Sequence, residues 1–206
     1  MKALSVSAPV LARFARAPVR GTGLGDGYVD FGDFVLALTA PGRPRMPNGI
    51  ETSLRVERGG SAWLGGGVLR VNGSIVEPGP VWDPVPAVRV VPVAPRSARE
   101  DLESLAGRGP GLTPAGDDVL AGYLAGLVLF WGMRDRAAAV AGRAQKVTTG
   151  LSATLLGHAA RGELPEPAHA YLNRGDAAAL DRFGHSSGRC LRLGLMIAAR
   201  TPTTRW

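Results

Sequence analysis

An α+β fold is predicted for these 206 residues, with a β-rich N-terminal half followed by a helical C-terminal half. Three observations carry the prediction. Up to about residue 95, short β-prone runs alternate with Gly, Pro and Asn turns. Residues 84–95, P-V-P-A-V-R-V-V-P-V-A-P, then hold prolines at a density that excludes helix and interior strand, and read as an extended connector. Beyond them, composition or apolar spacing supports helix after helix. The chain therefore divides into residues 1–95, a small barrel or sandwich, and residues 96–206, a helical half that carries the glycine-rich motifs.

The N-terminus, M-K-A-L-S-V-S-A-P-V-L-A-R, has a short apolar run that Pro9 interrupts and that Arg13 and Arg16 follow at once, a poor signal peptide. Strands are expected over Tyr28–Thr39, Ser53–Glu57, Ala62–Val71 and Ser74–Glu77. Asn72-Gly73 between two β-prone runs is the strongest hairpin signal in the chain. Gly65-Gly66-Gly67 reads as a bulge or bend within a curved strand, because no helix follows it to make a phosphate loop. Helices are expected over Ser97–Ala106, Pro114–Met133, Asp135–Arg161, Asp176–Phe183 and Ser187–Ala199. The uncharged run Val119–Met133 is too short for the roughly 20 residues that span a bilayer, so it predicts a buried helix. Within it, Ala121 with Ala125 and Gly122 with Gly126 place small residues at i, i+4 and permit close helix packing.

Hydrophobic residues at 45% and charged residues at 20% describe a globular chain. The net charge is +7, yet all but Lys2 and Lys146 of the 24 basic residues are arginines scattered along the sequence. Without a basic run, and with aromatics at only 6%, nucleic acid is not expected as a partner and neither is a membrane. Arginine does bind carboxylate and phosphate bidentately, so small anions remain the natural partners. The single Cys190 fits a reducing cytoplasm and reads as a small core residue, and no Cys or His spacing resembles a zinc site.

The chemistry is expected between Arg108 and Tyr123, R-G-P-G-L-T-P-A-G-D-D-V-L-A-G-Y. Gly109, Gly111 and Gly116 let backbone approach a ligand, and Thr113 is placed to cap a helix with Pro114 in its first turn. Free amides of Gly111, Leu112 and Thr113 at a helix start suit a phosphate or carboxylate. Asp117 and Asp118 follow at once; they favour the helix dipole but repel an anion unless a proton, an arginine or a metal such as magnesium intervenes. A capped buried helix with dipole-matched aspartates explains the same residues. Thr148, Thr149 and Ser152 offer hydroxyls, with Thr149 and Ser152 sharing a helix face, although such hydroxyls also bond back to carbonyls. Gly184-His185-Ser186-Ser187-Gly188 repeats the glycine-flanked helix start, here with an imidazole. His158 and His169 read as structural.

The run from Gly107 to Asp118 resembles the block G-x-G-P-G-L-T-P-[SA]-G-D-D of the AllH-like family, formerly a domain of unknown function, which includes the AllH subunit of oxamate carbamoyltransferase from allantoin breakdown. Ala115 stands where serine is common. Pro47-Asn48-Gly49-Ile50, Thr148-Thr149 with Ser152 and Leu155-Leu156, and Gly184 to Gly188 agree with further blocks in order. The resemblance implies a carbamoyltransferase-type subunit that needs other transferase subunits. It also implies action on carbamoyl phosphate and oxamate or a related small anionic amide; in the named family member phosphorolysis of oxalurate is the physiological direction. Implied catalytic residues are Asp117, Asp118 and His185. Implied substrate-binding residues are Gly109, Gly111, Leu112, Thr113, Gly116, Thr149, Ser152, Ser186 and Ser187. No cofactor is fixed, although Asp117 or Asp118 is a possible magnesium ligand. The rival class is a non-catalytic metabolite-binding or scaffolding subunit.

Overall fold

The structure is a computed structural model in which residues 1–92 and 102–200 are described. The chain forms two compact units that divide between Pro84 and Val85. The expected helix from Ser97 falls partly outside the described residues; its described remainder is a single 3-10 turn, Leu102–Leu105.

The first unit is one nine-stranded sheet curled into a half-barrel, made of β1 (Ser5–Ser7), β2 (Val19–Gly25), β3 (Tyr28–Asp30), β4 (Val35–Thr39), β5 (Gly49–Glu51), β6 (Ser61–Gly65), β7 (Val68–Val71), β8 (Ser74–Val76) and β9 (Val81–Trp82). The strand order is β8-β7-β6-β2-β3-β4-β5-β1-β9, antiparallel except for the β4–β5 and β1–β9 pairs. Alternation sets the faces: Ala62, Leu64, Leu69 and Val71 are buried, while Trp63 and Arg70 between them turn outward. The inward set joins Val6, Phe14, Leu36, Ile50 and Val76 in one apolar cluster. Asn48, buried beside β5, donates its side-chain amide to Val35 O at 2.8 Å.

Asn72 and Gly73, at φ 49° and 84°, form the predicted two-residue turn, with Val71 paired to Ser74. Gly66-Gly67 is instead the turn of a second hairpin, β6–β7, with Gly65 as the last residue of β6 and all three glycines at positive φ. Tyr28–Thr39 likewise breaks into β3 and β4, because Phe31 and Phe34 stack at 5.1 Å across a turn that contains Gly32. The N-terminal run divides beside Pro9, from β1 into a helix. Pro9 sits in the first turn of α1 (Ala8–Phe14), where a missing N–H costs nothing. Ser53–Glu57 is no strand but a loop tied to β2: Gly59 N–H donates to Gly23 O at 2.8 Å and Gly23 N–H to Gly60 O at 2.7 Å.

The second unit is helical: α2 (Ala115–Trp131), α3 (Arg134–Ala144), α4 (Gly150–Ala159), α5 (Glu166–Arg174), α6 (Ala177–Asp181) and α7 (Ser187–Ala198). α2 is the central element, buried from Gly116 to Val128, and no helix among the described residues is long and apolar enough to cross a membrane. α7 packs along it at unusually close range. A Cβ on Gly122 would lie 2.0 Å from Leu191 O, one on Gly194 1.9 Å from Val119 O, and one on Gly126 2.3 Å from the Ala198 Cβ. Trp131 closes the far end by donating its indole N–H to Ala198 O at 2.8 Å. The predicted helix Asp135–Arg161 is two helices, since Gln145–Thr149 turns the chain back toward α2. At the end of α4, buried His158 meets Glu163 at 2.5 Å, and Arg161 also pairs with Glu163. Burial raises the Glu163 carboxyl, but these two partners outweigh it and hold the group below its usual range.

Candidate functional site

The loop ahead of α2 is shaped by its own backbone bonds. Gly107 and Gly109 take φ of 73° and 124°, and a Cβ on Gly109 would approach Ala115 N to 2.9 Å. α2 begins at Ala115 with Pro114 in the N-cap position and no side-chain cap, so Thr113 does not cap it. The first-turn amides are instead met by the chain itself: Gly116 N–H donates to Arg108 O at 2.9 Å and Asp117 N–H to Pro114 O at 2.9 Å. Gly116 is held to glycine because a Cβ there would lie 2.1 Å from Leu105 O. The amides of Gly111, Leu112 and Thr113 have no backbone acceptor among the described residues, and a Cβ on Gly111 would meet open space.

The two aspartates have separate environments, as adjacent helical positions about 100° apart require. Asp117 is 2% exposed and accepts two hydrogen bonds, from Gly107 N–H at 2.7 Å and from the Thr148 hydroxyl. It ties the loop before α2 to the segment before α4. Thr149 continues this tie: its hydroxyl donates to Leu112 O at 2.5 Å and accepts from Ser152 N–H at 3.1 Å as the cap of α4. Ser152 is buried on α4, and its hydroxyl has no hydrogen-bond partner.

Asp118 is 9% exposed, and its Oδ2 is buried with no hydrogen-bond partner. Burial raises its carboxyl from 3.8 to about 7, the Ser187 side chain pulls against that shift, and the charge of Asp117 adds to it. Ser187 is the first residue of α7, so the second glycine-flanked motif meets the first at this carboxyl. Cys190, one turn further along α7, belongs to the same group: burial and then the charge of Asp118 push its thiol up. Cys190 also packs against the apolar core of the helical unit, as its reading as a small core residue expects.

The other residues of the Gly184–Gly188 motif have environments of their own. The His185 side chain is exposed with no polar partner among the described residues, and its carbonyl accepts from Arg189 at 3.1 Å. Ser186 takes the N-cap position of α7 without a side-chain cap bond, and Gly188 N–H is spent on Phe183 O at 2.9 Å. The aspartate pair does not fit a magnesium ion. Both Asp117 oxygens are committed to donors, which leaves Asp118 alone, and among the described residues no three His, Cys, Asp or Glu side chains converge.

No curated protein and no solved structure matches the chain. Residues 105–199, from the 3-10 turn through α7 and including the whole of this site, match the AllH family, described as oxamate carbamoyltransferase subunit AllH.

Proposed function

We propose that the chain is a subunit of a carbamoyltransferase-type enzyme acting on carbamoyl phosphate and oxamate or a related small anionic amide, with its ligand site at the starts of α2 and α7. The observation that carries this reading is Asp118, a buried carboxyl raised to about 7 with an unpartnered oxygen, set between two glycine-flanked helix starts. The amides of Gly111, Leu112 and Thr113 hold the anionic group, since they point from a loop whose conformation Asp117, Thr148 and Thr149 fix. Asp117 and these two threonines are positioning residues. Ser187, half-buried at the start of α7, is the hydroxyl that meets the ligand, and Asp118 stands behind it.

In phosphorolysis a phosphate oxygen attacks the carbamoyl carbon of the ureido substrate, the bond from that carbon to the oxamate nitrogen breaks, and the nitrogen takes a proton. Asp118 supplies that proton through the Ser187 hydroxyl and recovers it in the reverse reaction, a task matched to a group titrating near neutrality. Helix-start amides stabilise the negative charge on the phosphoryl group. A non-catalytic ligand-binding subunit is the second reading. It is favoured by His185, whose exposed ring meets no polar partner, and by Asp117, whose oxygens serve the fold.

Calorimetric titration of the purified chain with carbamoyl phosphate and with inorganic phosphate tests the site. Binding is expected at millimolar concentration, weakened at least about tenfold by Ser187→Ala, in keeping with one charge-assisted hydrogen bond. Turnover is expected only with partner subunits present. Absence of binding by either anion contradicts the proposed site, and turnover by the isolated chain contradicts the dependence on partners.

A further inference from the structure

The first unit contains a cleft that the site above does not use. Its volume is about 590 Å³, within the range of small-ligand pockets. Its walls are the β2–β3 turn at Gly25–Gly27, the end of β4 with Ala40 and Arg43 beyond it, and the loop 54–58. Arg43, Arg55 and Arg58 line it, and their guanidinium groups have no hydrogen-bond or ion-pair partner among the described residues. Four arginines elsewhere are ion-paired, Arg13 with Asp33, Arg143 with Glu103, Arg161 with Glu163 and Arg192 with Asp181. Asp26 and Glu57 also line the cleft, so three cations face two carboxylates, and no ion pair joins the two sets.

The cleft is built, not an accident of loose side chains. A Cβ on Gly23 would lie 2.0 Å from Glu57 O, so only glycine lets the arginine-bearing loop press against β2. Gly59 N–H and Gly60 O then bond back to Gly23, Gly60 N–H donates to Glu57 O at 2.9 Å, and Asn72 reaches Arg55 O at 3.4 Å. On the opposite wall Gly27, at φ 82°, lets its own carbonyl accept Leu38 N–H at 2.7 Å. Apolar Leu38, Leu54 and Val56 share the lining with the arginines. A free phosphate ion would leave that apolar surface unfilled. A guanidinium group matches a planar or tetrahedral oxyanion bidentately, and the desolvated apolar wall adds affinity for a hydrophobic body.

We infer that this cleft between the β2–β3 turn and the loop 54–58 is a second ligand site, for a small organic anion that joins a phosphate or carboxylate group to an apolar body. The site is independent of the one at α2 and α7.

Nuclear magnetic resonance titration of the full chain with phenyl phosphate tests it, with benzoate as the carboxylate arm and inorganic phosphate as the anion without an apolar body. Saturable shifts are expected at the amides of Gly25, Gly27, Arg55 and Arg58, with phenyl phosphate or benzoate binding more tightly than inorganic phosphate. Arg55→Gln and Arg58→Gln should each weaken that binding at least about tenfold. Asp118→Asn should leave it unchanged, which separates this site from the other. The stronger of the two aromatic probes identifies the anionic group. Absence of saturable shifts at those four amides, or an affinity that neither arginine substitution alters, overturns the inference.

Discussion

Asp117 and Asp118 are chemically identical neighbours with opposite roles. Asp117 accepts from Gly107 and Thr148, so Asp117→Asn turns an acceptor into a donor facing donors and should cost about 1–3 kcal/mol in denaturant unfolding at neutral pH. Asp118 behaves in the reverse sense. Its folded carboxyl is raised above the unfolded value, so the native protein binds the extra proton between about pH 4 and about pH 7. The stability that this proton contributes is complete below about pH 4 and is lost as pH rises through about 7. Asp118→Asn removes the dependence, and its unfolding free energy should therefore gain on the parent protein between pH 5 and pH 8, by an upper limit of about 3 kcal/mol. A constant difference across that range would show that the carboxyl titrates normally. Sequence alone placed both residues on α2 and placed Ser187 at a second helix start. It could not separate the two carboxylates, because the difference lies in which side of α2 meets Thr148 and which meets α7, and that depends on long-range packing.

At the scale of elements, the site depends on how closely α7 approaches α2. Gly122 and Gly194 sit where a Cβ would strike backbone of the facing helix at 2.0 and 1.9 Å, so neither Gly122→Ala nor Gly194→Ala can be absorbed by a side-chain rotation. Each should destabilise the protein by about 1–3 kcal/mol and, by moving Ser187 from Asp118, remove the contact that lowers the carboxyl's pKa, so that the pKa rises and anion binding weakens together. Gly142→Ala on α3, where a Cβ meets open space, should be neutral or slightly stabilising by the same measurement. The i, i+4 small residues made the close approach legible on α2, but Gly194 gave no sign of being its counterpart. The strand half was read less well. Asn72-Gly73 announced its turn through positive φ, whereas Gly65-Gly66-Gly67 was read as a bend because three glycines fit a bulge and a tight hairpin equally. Ser53–Glu57 has strand-like composition, yet its amides are not in a ladder, since Gly23 pins the far end of that loop to β2.

At the scale of the whole molecule, the α+β order follows from β-prone runs between turns in the first unit, the proline-dense connector, and composition or apolar spacing in the second. The matched family segment, residues 105–199, lies in the helical unit, which contains Asp117, Asp118, Ser187 and Cys190. The curled sheet lies before it and holds the arginine-lined cleft. At the proposed site an anion binds beside a carboxyl raised to about 7. Such an anion must favour the protonated carboxyl, so binding and proton uptake are linked. Calorimetric titration with carbamoyl phosphate at about pH 7.5, in buffers of different ionisation enthalpy, measures the protons taken up directly. Uptake of a fraction of a proton is expected for the parent protein, beyond the amount measured with Asp118→Asn under the same conditions. Equal uptake by the two proteins, with equal affinity, would contradict it.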